Sequence, residues 1–185
     1  YSAQPPVQSS QMCGIGGKVS FDERPDAGII NQMNESMFHR GPDAQDGYAD
    51  GTAVLAHCRL SILDLSEAGR QPMSNADGSI QLVFNGEVYN YRELREDLDH
   101  YQFTSETDTE VLLNLYQEYG VDCLNHLRGM FAFAIWDTNK QRVFLARDRL
   151  GQKPLFYRVT DDAFWFGSSI KTILADEAVK PAPDY

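Results

Sequence analysis

From Cys13 to Phe21 the chain alternates small and branched residues with little charge, which predicts a buried strand opening at the cysteine. Ile29, Ile30, Met33 and Met37 then recur at helical spacing, so a helix with one apolar face follows, with Asp26 as its cap. Gly41 and Pro42 force a loop at His39-Arg40-Gly41-Pro42-Asp43. Thr52 to Leu65 is apolar and β-branched in two bursts around Arg59. Ile80 to Phe84 reads as a strand ending at Asn85-Gly86, a dipeptide that by itself signals a turn. Asn90 and Glu93 form a capping pair ahead of Tyr91, Leu94 and Leu98. Thr107 and Glu110 form a second, opening a helix with Val111, Leu112, Leu115, Tyr116 and Tyr119 inward and Asp108 in its first turn. Strands at Met130 to Asp137 and Arg142 to Asp148 are joined by a turn at Asp137 to Lys140. Shorter strands at Leu155 to Tyr157 and Ala163 to Phe166 precede a final helix, Ser168 to Ala175. Strands outnumber helices and no regular βαβ alternation occurs, so the pattern predicts an α+β domain with stacked, largely antiparallel sheets.

Composition narrows the function classes. The chain has 185 residues, 42% of them apolar, the size of one domain with a substantial core. With 16 Lys+Arg against 27 Asp+Glu, its net charge of −11 repels phosphate backbones and anionic lipid, so neither nucleic acid nor membrane is an expected partner. The longest uncharged apolar run, Gly129 to Trp136, falls far short of the roughly 20 residues that span a bilayer. Residues 1–12 carry no charge and read as a leader, propeptide or expression remnant, 13–175 as the folded domain, and 176–185 as a linker. The cysteines Cys13, Cys58 and Cys123 are odd in number and widely spaced, which argues against a disulfide framework and for a reducing, cytoplasmic setting. Cys123-x-x-His126 is only half of a zinc ligand set, and no metal is expected.

Candidate chemistry starts at Cys13, because Cys-Gly-Ile-Gly-Gly lets a backbone or ligand approach the thiol closely. The plain alternative for any single cysteine is a small buried hydrophobe. His57 and Cys58 are adjacent on a strand and face opposite ways, so they form no dyad. His39, Arg40 and Asp43 are placed to order the loop near Cys13, and Arg147-Asp148-Arg149 reads as an ion-pair network.

Met12-Cys13-Gly14-Ile15, His39-Arg40-Gly41-Pro42-Asp43, Arg59-Leu60-Ser61-Ile62-Leu63-Asp64-Leu65, Gln71-Pro72-Met73 and Phe84-Asn85-Gly86-Glu87-Val88-Tyr89-Asn90 carry a family resemblance. Thr107-Asp108-Thr109-Glu110, Gly129-Met130-Phe131-Ala132-Phe133-Ala134 and Ala146-Arg147-Asp148-Arg149-Leu150-Gly151 extend it. In that order, from Met12 to about Leu174, they resemble the glutamine-hydrolysing domain of asparagine synthetases, which are class II glutamine amidotransferases of the N-terminal-nucleophile hydrolase type. The resemblance implies a four-layer αββα sandwich of two stacked antiparallel sheets flanked by helices.

It also implies roles. Cys13 would attack the side-chain amide of L-glutamine, with its own α-amine as base. A free α-amine has a pKa near 8 and is partly neutral at working pH, whereas a lysine near 10.4 is not. Asn85 and Gly86 would form the oxyanion hole. Arg59 would hold the α-carboxylate, Asp108 with the backbone at Gly86 and Glu87 the α-ammonium, and Ile62 would lend backbone atoms. An amide between Met12 and Cys13 is not basic, so a chain that keeps residues 1–12 is expected to be inactive.

No cofactor is expected for this domain. ATP and magnesium would serve a C-terminal synthetase domain that receives the ammonia, whose Ser-Gly-Gly-x-Asp-Ser loop does not occur here. The partners implied are glutamine and that domain, and a homodimer is compatible with both. Ser169 and Gln152 depart from the family pattern. Three alternatives stay open: a related synthetase with another acceptor acid, a non-catalytic glutamine-binding or interface module, and a hydrolase of some other amide.

Overall fold

Gly14–Ser20 forms strand β1 with almost every position buried, because each of its faces meets a different layer. Gly14 and Gly16 lie directly beneath Met37, Met33 and Thr172, while Ile15 and Val19 point into a core on the opposite side. The computed structural model describes residues 12–60 and 69–181. It places β1 at the centre of a five-stranded sheet ordered β2-β3-β1-β9-β8, with β2 at Ala44–Ala49, β3 at Ala53–Arg59, β8 at Phe156–Val159 and β9 at Ala163–Gly167. A four-stranded sheet ordered β4-β5-β6-β7 comprises Met73–Ser74, Ile80–Val88, Gly129–Asp137 and Arg142–Arg147. Every pairing in both sheets is antiparallel.

Three hydrophobic layers hold these sheets. Ile15, Leu55, Val83, Ala134, Trp136 and Phe166 fill the space between them. Helices α1 (Ile29–Met37) and α4 (Ile170–Leu174) cover the outer face of the first sheet through Met33, Met37 and Ile173. Helices α2 (Tyr91–Asp97) and α3 (Asp108–Tyr119) cover the second through Leu94, Leu98, Leu112 and Leu115. The result is the expected αββα sandwich. Strand β6 shows why its apolar run is unbroken: Phe131, Phe133 and Ile135 face the helices, while Ala132, Ala134 and Trp136 face the other sheet. Each large side chain so buried contributes about 1.5–3 kcal/mol.

The structure departs from the sequence pattern in several places. Strand β2 was not expected, because its Ala-Gln-Asp-Gly-Tyr-Ala positions are only half-buried or exposed at the sheet edge. Strand β5 runs through Asn85-Gly86 to Val88, paired with β6 from Ile80↔Asp137 to Val88↔Gly129, so the dipeptide is not a turn. Asn90 caps no helix N–H; its side chain instead ties the Arg128 N–H and the His126 carbonyl, both at 2.9 Å. Thr107 Oγ1 does accept the Glu110 N–H at 3.3 Å, but the Glu110 carboxylate turns to Thr104 and Ser105, leaving half a capping box. Tyr119 lies at the exposed end of α3 and stacks on His126. Asp26 takes the Gly28 N–H ahead of α1 and does not cap the helix itself. At the start of the segment read as a linker, Asp176 accepts from Lys18 Nζ and Trp165 Nε1, each at 2.8 Å, and Val179 is buried in the core.

Candidate functional site

Where β1, β3, β5 and the first turn of α3 converge, Cys13, Arg59, Gly86 and Asp108 line a cleft of about 90 Å³. Cys13 occupies its mouth, half-buried just before β1. Its Sγ lies 3.4 Å from the Leu60 N–H and 3.7 Å from the Leu60 carbonyl. Arg40 donates from Nε to the Cys13 carbonyl at 3.3 Å, and the Arg40 carbonyl accepts the Met12 N–H at 3.0 Å. Gly41 lets this loop lie against β3, because a Cβ there would stand 2.6 Å from the Cys58 carbonyl. Asp43 fixes the other side through its N–H to the Arg59 carbonyl at 3.1 Å. Burial pushes the Cys13 thiol upward in pKa, while the Leu60 backbone and the nearby Arg59 and Lys153 cations pull it back.

The outer edge of β5 supplies a row of main-chain donors. Both backbone groups of Phe131 are engaged by Asp148, at 3.2 Å through the side chain and 2.8 Å through the backbone. Gly86, which faces Phe131 in register, therefore directs its own N–H away from β6. The neighbouring donors of that edge are taken: Gln71 Oε1 accepts the Phe84 N–H at 2.6 Å and Asp108 Oδ2 the Val88 N–H at 2.8 Å. Between them the Gly86 N–H has no acceptor among the described residues, and it opens on the cleft. Only glycine fits there, because a Cβ would collide with the Met130 carbonyl and the Phe131 Cα. Asn85 stands next to it, 1% exposed, with Nδ2 buried and without a partner among the described residues. Such orphaned donors are rare and call for an acceptor.

Charge within the cleft is held by Arg59 and Asp108. Arg59 is buried, and its guanidinium passes Gly69 so closely that a Cβ there would meet Nη2 at 2.6 Å. Burial lifts the Asp108 carboxyl to about 6 despite its bond to Val88 and the neighbouring Thr109 backbone, and the charge on Glu87 adds to the rise.

Of the residues singled out in the sequence, Cys13, Arg59, Gly86 and Asp108 meet in one cleft. Asn85 and Glu87 lie beside Gly86 but do not line it. Ile62 lies outside the described residues. Gln71 went unread as a site residue, although the Gln71-Pro72-Met73 match marked the segment; it braces the cleft by bonding Phe84 and, at 3.4 Å, Thr109. Lys153 was also unread, since a lysine at this position in the sequence looks like any solvated surface charge. The Asp148 segment is not an ion-pair network. Its carboxylate accepts the N–H groups of Phe131, Leu150, Gln152 and Lys153, and these bonds outweigh its burial and hold its pKa low. His57 and Cys58 do face opposite ways. His57 is fully buried with Nε2 unpartnered among the described residues, and Cys58 Sγ approaches the Asn34 carbonyl at 3.3 Å on the helix side.

A larger hollow of about 590 Å³ lies against Arg128, Asp148, Arg149 and Leu150, and no Cys, Ser or Thr lines it. Chemistry, not size, selects the smaller cleft. Among the described residues no three His, Cys, Asp or Glu side chains are grouped to hold a metal ion, and no helix is long and apolar enough to cross a membrane.

Comparison with known proteins places this geometry. A family model described as "Glutamine amidotransferase domain" matches residues 12–185. "Asparagine synthetase [glutamine-hydrolyzing] 3" of Bacillus subtilis is 41% identical over 179 residues, 94% of this chain and 29% of that protein. "Amidase chyE" of Penicillium rubens is 40% identical over 177 residues, 89% of this chain and 26% of that protein. The chain thus spans less than a third of the length of these relatives. A solved structure of glutamine phosphoribosylpyrophosphate amidotransferase from B. subtilis superimposes with a TM-score of 0.72 at 22% identity, covering 88% of this chain and 43% of that one.

Proposed function

The chain belongs to the glutamine amidotransferase domain family, and from that premise we propose that it hydrolyses the side-chain amide of L-glutamine to glutamate and ammonia through a thioester on Cys13. The observation that carries this is the placement of the Cys13 thiol in one cleft with the unpaired Gly86 N–H, the Arg59 guanidinium and the Asp108 carboxylate. A zwitterionic amino acid needs both charges met, and a planar guanidinium suits a carboxylate while a carboxylate suits an ammonium.

The steps follow. With Met12 removed, the neutral α-amine of Cys13 accepts the thiol proton, and the thiolate adds to the amide carbon. The negative charge that develops on the amide oxygen is met by the Gly86 N–H, which points away from β6, and by Asn85 Nδ2, a buried donor with no partner among the described residues. The ammonium of the terminal amine returns its proton to the leaving nitrogen, ammonia departs, and water cleaves the thioester to glutamate. The family resemblance implies further substrate contacts from Glu87 and Ile62, of which Glu87 stands beside Gly86 in β5.

The ammonia would pass to a synthetase domain in the remainder of a longer protein, where ATP and magnesium would act on an acceptor acid. The similarity to both an asparagine synthetase and a protein named as an amidase supports aspartate as one acceptor and leaves another acid as the second reading. An electrophilic glutamine mimic tests the assignment: labelling confined to Cys13 and blocked by excess glutamine supports it. Protection by glutamine without any labelling would instead favour a binding module.

A further inference from the structure

Lys153 is a buried cation, 7% exposed, and no step described above uses it. Its position is set by the preceding loop: Arg147 donates from Nε to the Lys153 carbonyl at 2.6 Å, and Asp148 Oδ2 accepts the Lys153 N–H at 3.1 Å. The side chain so held reaches residue 12, where Nζ lies 3.1 Å from Met12 Sδ. That thioether is the only hydrogen-bond partner of the ammonium among the described residues, and a thioether is a weak acceptor. Asp148, although near, has its oxygens occupied by main-chain N–H groups.

We propose that Lys153 is a positioning residue for the terminal amine of Cys13: once Met12 is gone, its ammonium stands beside the new N-terminus and keeps that amine neutral. This rests on the glutaminase mechanism above. A fixed positive charge disfavours a second one nearby, so the amine gives up its proton at lower pH and a larger share of it can accept the thiol proton. Arg40, from the loop after α1, adds to the effect through its contact with the Cys13 carbonyl. Arg59 from β3 is the third cation near the thiol. The carboxylates facing the same space are Asp108 from α3, Glu87 from β5 and Asp148. In a chain of net charge −11, three cations around one residue outline a local field opposite to the global one. Lys153 itself is lowered by burial and by Arg40, while Cys13, Glu87 and Asp148 support its charge.

The test compares the full chain beginning at Cys13 with its Lys153→Met and Lys153→Arg variants, measuring kcat/KM for glutamine across pH. Lys153→Met should move the amine's acid limb up by about one pH unit, which lowers the rate about tenfold below the limb and leaves the plateau unchanged. Lys153→Arg should restore the original limb. Asp108 titrates alike in all three chains and cancels in the comparison. A uniform loss at every pH, or a limb that stays or moves down, overturns the proposal. Direct titration of the Cys13 amine by NMR reads the same shift without turnover. An inactive parent chain would therefore refute the glutaminase mechanism while the amine titration still decides the role of Lys153.

Discussion

Asp108 Oδ2 accepts the Val88 N–H at 2.8 Å, joining the first turn of α3 to the last residue of β5. An acid in the first turn of a helix is favourable by itself, but this one is buried in the cleft wall and its carboxyl is lifted to about 6. The bond to Val88 fixes its position without neutralising it.

If that carboxylate receives the glutamine ammonium, affinity depends on its ionisation. The pKa is raised, so the protonated form gains population as pH falls through about 6, and the charge that holds the ligand is lost. Glutamine binding by a Cys13→Ala variant, measured by calorimetry so that no turnover intervenes, should weaken below that pH. Asp108→Asn should weaken binding about 10–100-fold at neutral pH and abolish the pH dependence.

Asn85 offers a complementary case. Its Nδ2 has no partner among the described residues, so it is available for charge that develops only during reaction. Asn85→Ala should lower kcat about 10²–10³-fold while KM for glutamine stays within a few-fold. Steady-state kinetics check this, and an unchanged kcat would remove Asn85 from the oxyanion hole.

Much of the fold was legible because both faces of the central strands are buried, which writes continuous apolar runs such as Phe131 to Trp136 into the sequence. Strand β2 was not, because an edge strand with exposed alternate positions needs no apolar pattern. The end of β5 was placed too early, at Asn85-Gly86, for a related reason. Local turn chemistry gave way to nine residues of pairing along β5. Cys13, Arg59, Gly86 and Asp108, which line one cleft, were singled out from motif order. Gln71 and Lys153 were not, since their significance lies in Phe84, Thr109 and Met12, which only the fold brings near.

His57 predicts an acid-sensitive fold. Burial depresses its pKa from 6.5 to about 3, so between those values the unfolded chain binds the proton and the folded one does not. Stability is fully present above about pH 6.5 and falls as pH drops towards 3, at on the order of 1 kcal/mol per pH unit. Denaturant melts at a series of pH values should show that slope, and His57→Gln should flatten it.

The central claim concerns the Cys13 amine, and ammonia release from glutamine by two chains tests it most directly. One chain keeps residues 1–12 and the other begins at Cys13. The account predicts release by the second alone, and release by the first with its amino terminus still blocked, or by neither, would contradict it.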